Sequence, residues 1–71
     1  MNCIEIKEGE VYTYKMPYKE WEQWKCIKIY FNESQNQWCG QFELLTDPYK
    51  CNRIGHIQSF NQIEMERYIH S

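Results

Sequence analysis

The chain has 71 residues, of which 17% are aromatic, and a formal net charge of −2. A domain of this length buries only about 60% of the surface that its unfolded chain exposes, so its core depends on a few large side chains. The eight basic residues form no run and are outnumbered by ten acidic ones, which disfavours a nucleic-acid binder that acts through phosphate contacts. The chain has no stretch of ~20 apolar residues and no apolar segment behind its first six residues, which predicts a single cytoplasmic domain over residues 1–71.

Short strands separated by turns are predicted along the first third of the chain. Residues 3–7 alternate apolar and polar side chains, Gly9 marks a turn, and residues 11–15 are rich in β-forming side chains. Pro17 cannot donate to a sheet ladder, so residues 16–23 are expected to form a loop or an arm.

The clearest element is a hairpin of two long strands, residues 24–31 and 37–45, joined by a polar connection. Alternation along these strands predicts that four apolar side chains share one core: Ile27, Ile29, Phe42 and Leu44. Gly40 interrupts the second strand and indicates a bulge or a sharp bend, which is how long hairpins in small sheets close into barrels.

The last third of the chain is predicted to hold a turn, a further strand and a short closing element. Residues 46–52 contain an Asp-Pro turn signal, and residues 53–60 suit a strand. Ser59 followed by Gln62 fits a capping box and predicts one helical turn near residues 61–64, followed by an extended segment over residues 65–69. Five or six short strands favour an all-β, small, partly open barrel, and a curved sheet packed against a C-terminal helix is the alternative.

Three segments share a pattern of glycine, aromatic and alternating apolar residues. They are residues 9–14 (GEVYTY), residues 24–29 (WKCIKI) and residues 37–42 (QWCGQF). In this pattern the chain resembles the SH3-like barrel superfamily and, within it, the Tudor-like arrangement. The resemblance implies a small SH3-like barrel fold.

The cysteines and histidines give little indication of catalysis or metal binding. The cysteines, at positions 3, 26, 39 and 51, lack the close pairs of zinc sites, so reduced and mostly buried thiols are expected, with no metal, cofactor or disulfide. Cys51 and His56 can be paired as a nucleophile and a base, but such pairs depend on spatial contact, and no hydrolase or phosphate-binding motif accompanies them. We therefore predict that the protein is not an enzyme.

The strongest functional signal is a cluster of aromatic residues in one short part of the chain. It consists of Tyr12, Tyr14, Tyr18, Trp21 and Trp24. If Val11 and Thr13 face the core, the two tyrosines that alternate with them point outward beside the loop over residues 16–23. At least two of the five rings are expected to be exposed, and the alternative is that two or three belong to the core. Exposed aromatic ridges dock proline-rich peptides, cage methylated cations or stack unpaired bases.

These features predict a non-enzymatic interaction module that binds a protein or peptide through the aromatic cluster, because Trp and Tyr are enriched at binding hot spots. A homodimer through the same face is an alternative to a foreign partner. Small size and this composition suit an accessory protein of phage, plasmid or bacterial type. The other function considered is a nucleic-acid-binding barrel whose basic patch comprises Lys25, Lys28, Lys50 and Arg53.

Overall fold

The computed structural model describes residues 6–50 and 52–70, which form one antiparallel sheet and a short helix. The elements in chain order are β1 (Val11–Tyr14), β2 (Glu22–Asn32), β3 (Gln37–Leu44), β4 (Ile57–Asn61), α1 (Gln62–Tyr68) and β5 (Ile69–His70). The strand order across the sheet is β4-β3-β2-β1-β5, so α1 connects the two edge strands. The predicted mainly β fold with a short C-terminal helical element is confirmed.

The long hairpin of β2 and β3 is confirmed, and polar side chains close its turn. The Oδ1 atom of Asn32 accepts hydrogen bonds from the Ser34 hydroxyl at 2.7 Å and from the Gln35 N–H at 3.2 Å. Asn36 adopts a left-handed backbone with φ of 53°, which an asparagine tolerates better than most residues. The turn therefore follows from the polar sequence between the strands.

A bulge in β2 changes part of the predicted core. The pairing with β3 shifts register between Cys26 and Lys28, so Ile27 is an extra residue in the ladder. The extra residue changes which face of β2 the following side chains occupy. On the N-terminal side of Ile27, Trp24 and Cys26 are buried, and on its C-terminal side Ile29 packs against the core. Ile27 is 42% exposed, and the prediction that it lies in the core is wrong.

Gly40 lies opposite Ile29, where the sheet and the helix approach each other most closely. A Cβ atom at this position would lie 2.7 Å from Cε1 of Phe42 and 3.1 Å from the sulfur of Met65. These distances leave no room for a side chain, which explains a glycine inside the strand. Phe42 and Leu44, on the same face of β3, are fully buried, as predicted.

Helix α1 begins at a capping box. The Asn61 Oδ1 atom accepts from the Glu64 N–H at 2.9 Å, and the Glu64 Oε1 atom accepts from the Asn61 N–H at 3.0 Å. The helix has seven residues instead of the single turn expected. The extended segment predicted over residues 65–69 is therefore wrong except at Ile69, which begins β5.

Aromatic rings dominate the core. Its buried members are Tyr12, Tyr14, Trp24, Cys26, Phe42, Leu44, Phe60, Met65 and Ile69. The ring of Phe60 lies at the centre, because Tyr14 stacks on it with centroids 4.9 Å apart and Trp24 meets it edge-on at 5.1 Å. Such pairs stabilise a small core beyond the area that they bury.

The described cysteines behave as small apolar residues. Cys26 and Cys39 are buried, with free thiols, whereas Cys3 and Cys51 lie outside the described residues. Burial raises the pKa of the Cys26 thiol to about 11, the charge of Glu8 raises it too, and a backbone hydrogen bond from Lys28 acts in the opposite direction. Cys26 is therefore a protonated, unreactive thiol near neutral pH.

The outer elements differ from the predicted bounds. Of the strand predicted over residues 3–7, residues 3–5 lie outside the described residues. Residues 6 and 7 are not in a strand. The strand predicted over residues 53–60 begins only at Ile57. In the part of the chain that the structure describes, no helix is long and apolar enough to cross a membrane.

Candidate functional site

The structure divides the predicted aromatic cluster between the core and the surface. Tyr12, Tyr14 and Trp24 are 5%, 9% and 1% exposed, whereas Tyr18 and Trp21 are 107% and 61% exposed. The expected exposure of at least two rings is confirmed for the last two residues, both in the loop that follows β1. Tyr12, Tyr14 and Trp24 belong to the core, so the outward direction considered for the two tyrosines is wrong and the alternative that two or three rings are core is confirmed.

The face of β1 that carries Tyr12 and Tyr14 packs on the core, and the opposite face is open to solvent. Val11, which was expected to face the core, is 45% exposed. The inward face is covered by Phe60 and Tyr68, whose rings lie 4.9 and 5.4 Å from the Tyr14 ring. The hydroxyl of Tyr12 remains satisfied, because it accepts a hydrogen bond from the Lys7 N–H at 2.7 Å.

An open cleft of about 340 Å³ lies above three of the core rings. Its floor is formed by the buried side chains of Tyr14, Trp24 and Phe60. One wall comes from the β1–β2 loop, with Met16, Lys19 and Glu20. The remaining lining residues belong to the start of β2, the β3–β4 loop, β4 and α1, and they are Glu22, Tyr49, Arg53, Gln58 and Glu64.

Hydrogen bonds connect the two loops that border this cleft. The Tyr49 hydroxyl accepts from the Glu20 N–H at 2.7 Å, and Thr46 Oγ1 accepts from the Gln23 N–H at 3.1 Å. The Leu45 N–H donates to the Gln23 carbonyl at 2.8 Å. These contacts hold residues of the β1–β2 and β3–β4 loops at fixed positions, so the mouth of the cleft is preorganised.

An ion pair between a buried carboxylate and a partly exposed guanidinium lies in the lining of the cleft. Glu22 is only 8% exposed, and its Oε2 atom accepts from Nη1 of Arg53 at 3.1 Å. Its Oε1 atom accepts from the indole N–H of Trp24 at 3.2 Å. A carboxylate this deeply buried requires such partners, and the pair also fixes the β3–β4 loop to the start of β2.

The electrostatic environment of the cleft is more negative than positive. Three carboxylates line it, on Glu20, Glu22 and Glu64, together with the cations of Lys19 and Arg53. Burial raises the pKa of Tyr14 to about 12, and the charges of Glu64, Tyr68 and Glu22 act in the same direction. The cleft thus disfavours a negative charge on its floor and suits a basic group.

The loop that forms one wall of the cleft also carries a projecting turn. The Lys19 N–H donates to the Met16 carbonyl at 3.4 Å, and Tyr18, inside this turn, has a φ of 64°. The ammonium of Lys15, which precedes this turn, lies 4.7 Å from the centroid of the Trp21 ring, which follows it. The two exposed rings predicted from the sequence therefore lie on the loop beside the cleft.

Sequence reasoning missed most residues of the cleft because they come from distant parts of the chain. Glu22 carried a local signal, since it alternates with Trp24 and must share its face of β2. Tyr49, Phe60 and Glu64 carried none, because only the packing of β4, α1 and the β3–β4 loop brings them to β1.

The basic patch of the nucleic-acid alternative has acidic neighbours in two places. Arg53 pairs with Glu22, and Lys25 lies directly opposite Glu43 in the β2–β3 ladder. The nucleic-acid function stays a prediction. The Cys51–His56 pair, which the sequence did not favour, is not tested, because Cys51 lies outside the described residues.

Comparison with known proteins gave no matching family model, no matching curated protein and no matching solved structure. Within residues 6–50 and 52–70, no group of three His, Cys, Asp or Glu side chains is placed to hold a metal ion.

Proposed function

We propose that this protein is a non-enzymatic interaction module that binds an extended segment of a partner protein in the cleft, with a basic side chain of that segment beside its aromatic and acidic lining. The observation that carries the proposal is the cleft itself, which is lined by Tyr14, by the exposed ring of Tyr49, and by three carboxylates against two cations. Aromatic faces attract cations, and the carboxylates add a charge of the required sign.

The size and openness of the cleft favour a peptide segment. A volume of about 340 Å³ lies at the lower end of the range for ligand sites and accommodates one or two side chains. The hydrogen-bonded loops keep this volume open without a partner, which lowers the entropy lost on binding. The same carboxylates disfavour nucleic acid here, since a phosphate backbone would meet charges of its own sign.

We also propose that the fold belongs with the SH3-like barrels that three segments of the chain resemble. The bulge between Cys26 and Lys28 supports this assignment, because a β-bulge is a device that bends a long hairpin. The same proposal includes three further predictions: a cytoplasmic location, the absence of enzymatic activity, and an accessory role of phage or plasmid type.

Peptide selection tests the proposed function. A random peptide library displayed on phage would be selected on the immobilised full chain, and the enriched peptides synthesised and titrated by calorimetry. We expect the enriched peptides to share a Lys or Arg. Binding should weaken about tenfold, or ~1.4 kcal/mol, in Glu20→Gln and in Glu64→Gln.

Glu66→Gln supplies the matched control, because Glu66 is an exposed residue of the same helix and does not line the cleft. Glutamine also serves in a capping box, so Glu64→Gln removes the charge while an acceptor remains for the Asn61 N–H. Enriched peptides without basic residues, or equal losses in Glu64→Gln and Glu66→Gln, would contradict the proposal.

A further inference from the structure

Tyr18 occupies a backbone position that is unfavourable for a tyrosine. It follows Pro17 in the turn closed by Lys19 and Met16, and its φ of 64° is left-handed. In turns with proline at the second position, a positive φ at the third position selects glycine or asparagine, because a Cβ atom there crowds the backbone.

Packing within the chain does not compensate for this strain. The Tyr18 side chain is fully exposed, at 107% of its reference area, and Trp21 in the same loop is 61% exposed. Strained residues persist where they serve a function, and adjoining exposed aromatic residues are typical of interaction surfaces. The strain therefore indicates a contact that forms outside the isolated chain.

The surroundings of Tyr18 are basic and convex. We call Lys15, Tyr18, Lys19 and Trp21 the aromatic projection. The lysine of position 15 lies over the Trp21 ring, and that of position 19 adjoins Tyr18. A surface that receives this projection must be concave, apolar at its base and acidic around it.

The cleft of the same molecule has these properties. Tyr14 and the exposed ring of Tyr49 line it, its three carboxylates outnumber the cations of Lys19 and Arg53, and its volume of about 340 Å³ has room for an aromatic side chain. The loop residues Met16, Lys19 and Glu20 form one wall, so the projection and the cleft adjoin each other. Adjacent complementary surfaces satisfy a two-fold dimer, in which each protomer gives and receives the same contact.

We propose that a second copy of this chain is a partner of the cleft, in a two-fold dimer in which Tyr18 of each protomer enters the cleft of the other. The Tyr18 ring packs against Tyr14 and the exposed ring of Tyr49, and the lysines of the projection face the carboxylates of the cleft. The inference rests on the proposed function, since it assigns an occupant to the same site.

Analytical ultracentrifugation of the full chain tests the dimer, in a series up to about 1 mM, where even a weak complex is half formed. The wild type should show a monomer–dimer equilibrium, and Tyr18→Ala should weaken dimerisation roughly tenfold or more, as expected for a hot-spot residue. The fold of this variant, followed by circular dichroism, should not change, because the side chain is fully exposed. Trp38→Ala, at an exposed ring on β3 that does not line the cleft, should dimerise as the wild type does.

Two results would overturn the dimer: a monomer at every concentration, or a dimer that Tyr18→Ala leaves unchanged. A peptide selected for the cleft should dissociate the dimer, and its binding to an intact dimer would also overturn the inference. A monomeric protein that binds basic peptides refutes only the dimer. If the dimer depends on Tyr18 but the selected peptides bind Glu64→Gln as tightly as the wild type, only the basic-peptide function is refuted.

Discussion

The two ends of the sheet expose aromatic rings in different ways. At the hairpin end, Phe31 and Trp38 lie opposite each other and pack edge to face with centroids 5.4 Å apart, and the turn places its positive φ on Asn36. At the cleft end, the positive φ of the β1–β2 loop falls on Tyr18, whose ring is fully exposed. Both ends therefore expose aromatic rings, but at the cleft end the exposed ring belongs to a residue with a left-handed backbone, and the proposed dimer contact is built on that difference.

The ends also differ in how they use charge. The hairpin turn is closed by neutral polar side chains, with Asn32 as the acceptor. The cleft end holds the ion pair of Glu22 and Arg53 beside Tyr14, in which the carboxylate is buried and the guanidinium is partly exposed. The cleft end thus keeps the Glu22 carboxylate largely out of water, which costs folding free energy that the hairpin end does not spend.

The largest contrast is expected between two tryptophans. Trp24→Ala, at the floor of the cleft, should lose about 3–5 kcal/mol of unfolding free energy, because it opens a cavity beside Phe60. A loss of that size approaches the whole stability of a domain this small, roughly 3–5 kcal/mol. Trp38→Ala should lose less than about 1 kcal/mol, since its ring is half exposed.

Urea denaturation of the wild type and both variants measures this contrast. Similar losses at the two positions would show that the exposed Phe31–Trp38 pair contributes as much as the core. The distinction between the two ends of the sheet would then fail.

The next effect is a loss of stability at alkaline pH that originates at Tyr14. Burial raises its pKa from the ordinary value of 10.0 to about 12, so the unfolded chain loses this proton first. Stability is therefore complete below pH 10 and falls as pH rises from 10 to 12, by about 2–3 kcal/mol in total at 1.36 kcal/mol per pKa unit.

The measurement is the free energy of unfolding against pH, in the wild type and in Tyr14→Phe. Cys26, with its pKa raised from 9.0 to about 11, contributes a slope of the same sign, so the comparison concerns the difference between the two curves. A Tyr14→Phe curve as steep as that of the wild type above pH 10 would contradict the assignment.

The smallest effect compares Tyr18 and Asn36, two of the turn residues with a left-handed backbone. Tyr18→Gly should raise the free energy of unfolding by roughly 0.5–1 kcal/mol, because relief of the Cβ strain exceeds the entropy cost of glycine. Asn36→Gly should change it by less than about 0.5 kcal/mol, since asparagine already tolerates this conformation. Thermal unfolding detects both changes, and a less stable Tyr18→Gly variant would show that the ring has a structural role.

The β class and the central hairpin were predictable because their signals are local. A polar connection between two alternating segments determines a turn and two strands wherever the chain folds. Along β3 the alternation holds without interruption, so the burial of Phe42 and Leu44 followed from their spacing. The helix start was predicted to within two residues, whereas its length was not, because packing of Met65 and Ile69 on the core extends it.

The candidate site was predictable only in part. Clustering of aromatic residues near Pro17 correctly indicated a surface loop with Tyr18 and Trp21. The sequence could not show which rings belong to the core, since alternation assigns residues to two faces without saying which face is covered. Phe60 decides that question for Tyr14 and Trp24, from a strand more than thirty residues away in the chain.

The sequence by itself determined a small β-rich domain with a long central hairpin and an aromatic loop after its first strand, because periodicity, turns and composition act over short distances. The tertiary structure decided the direction of Ile27, through a one-residue bulge that depends on pairing with β3. It also decided the cleft, because Glu22, Arg53 and Glu64 meet around the same rings only when the β3–β4 loop and α1 fold back onto the sheet. Long-range packing, which no local pattern encodes, therefore built the candidate binding site.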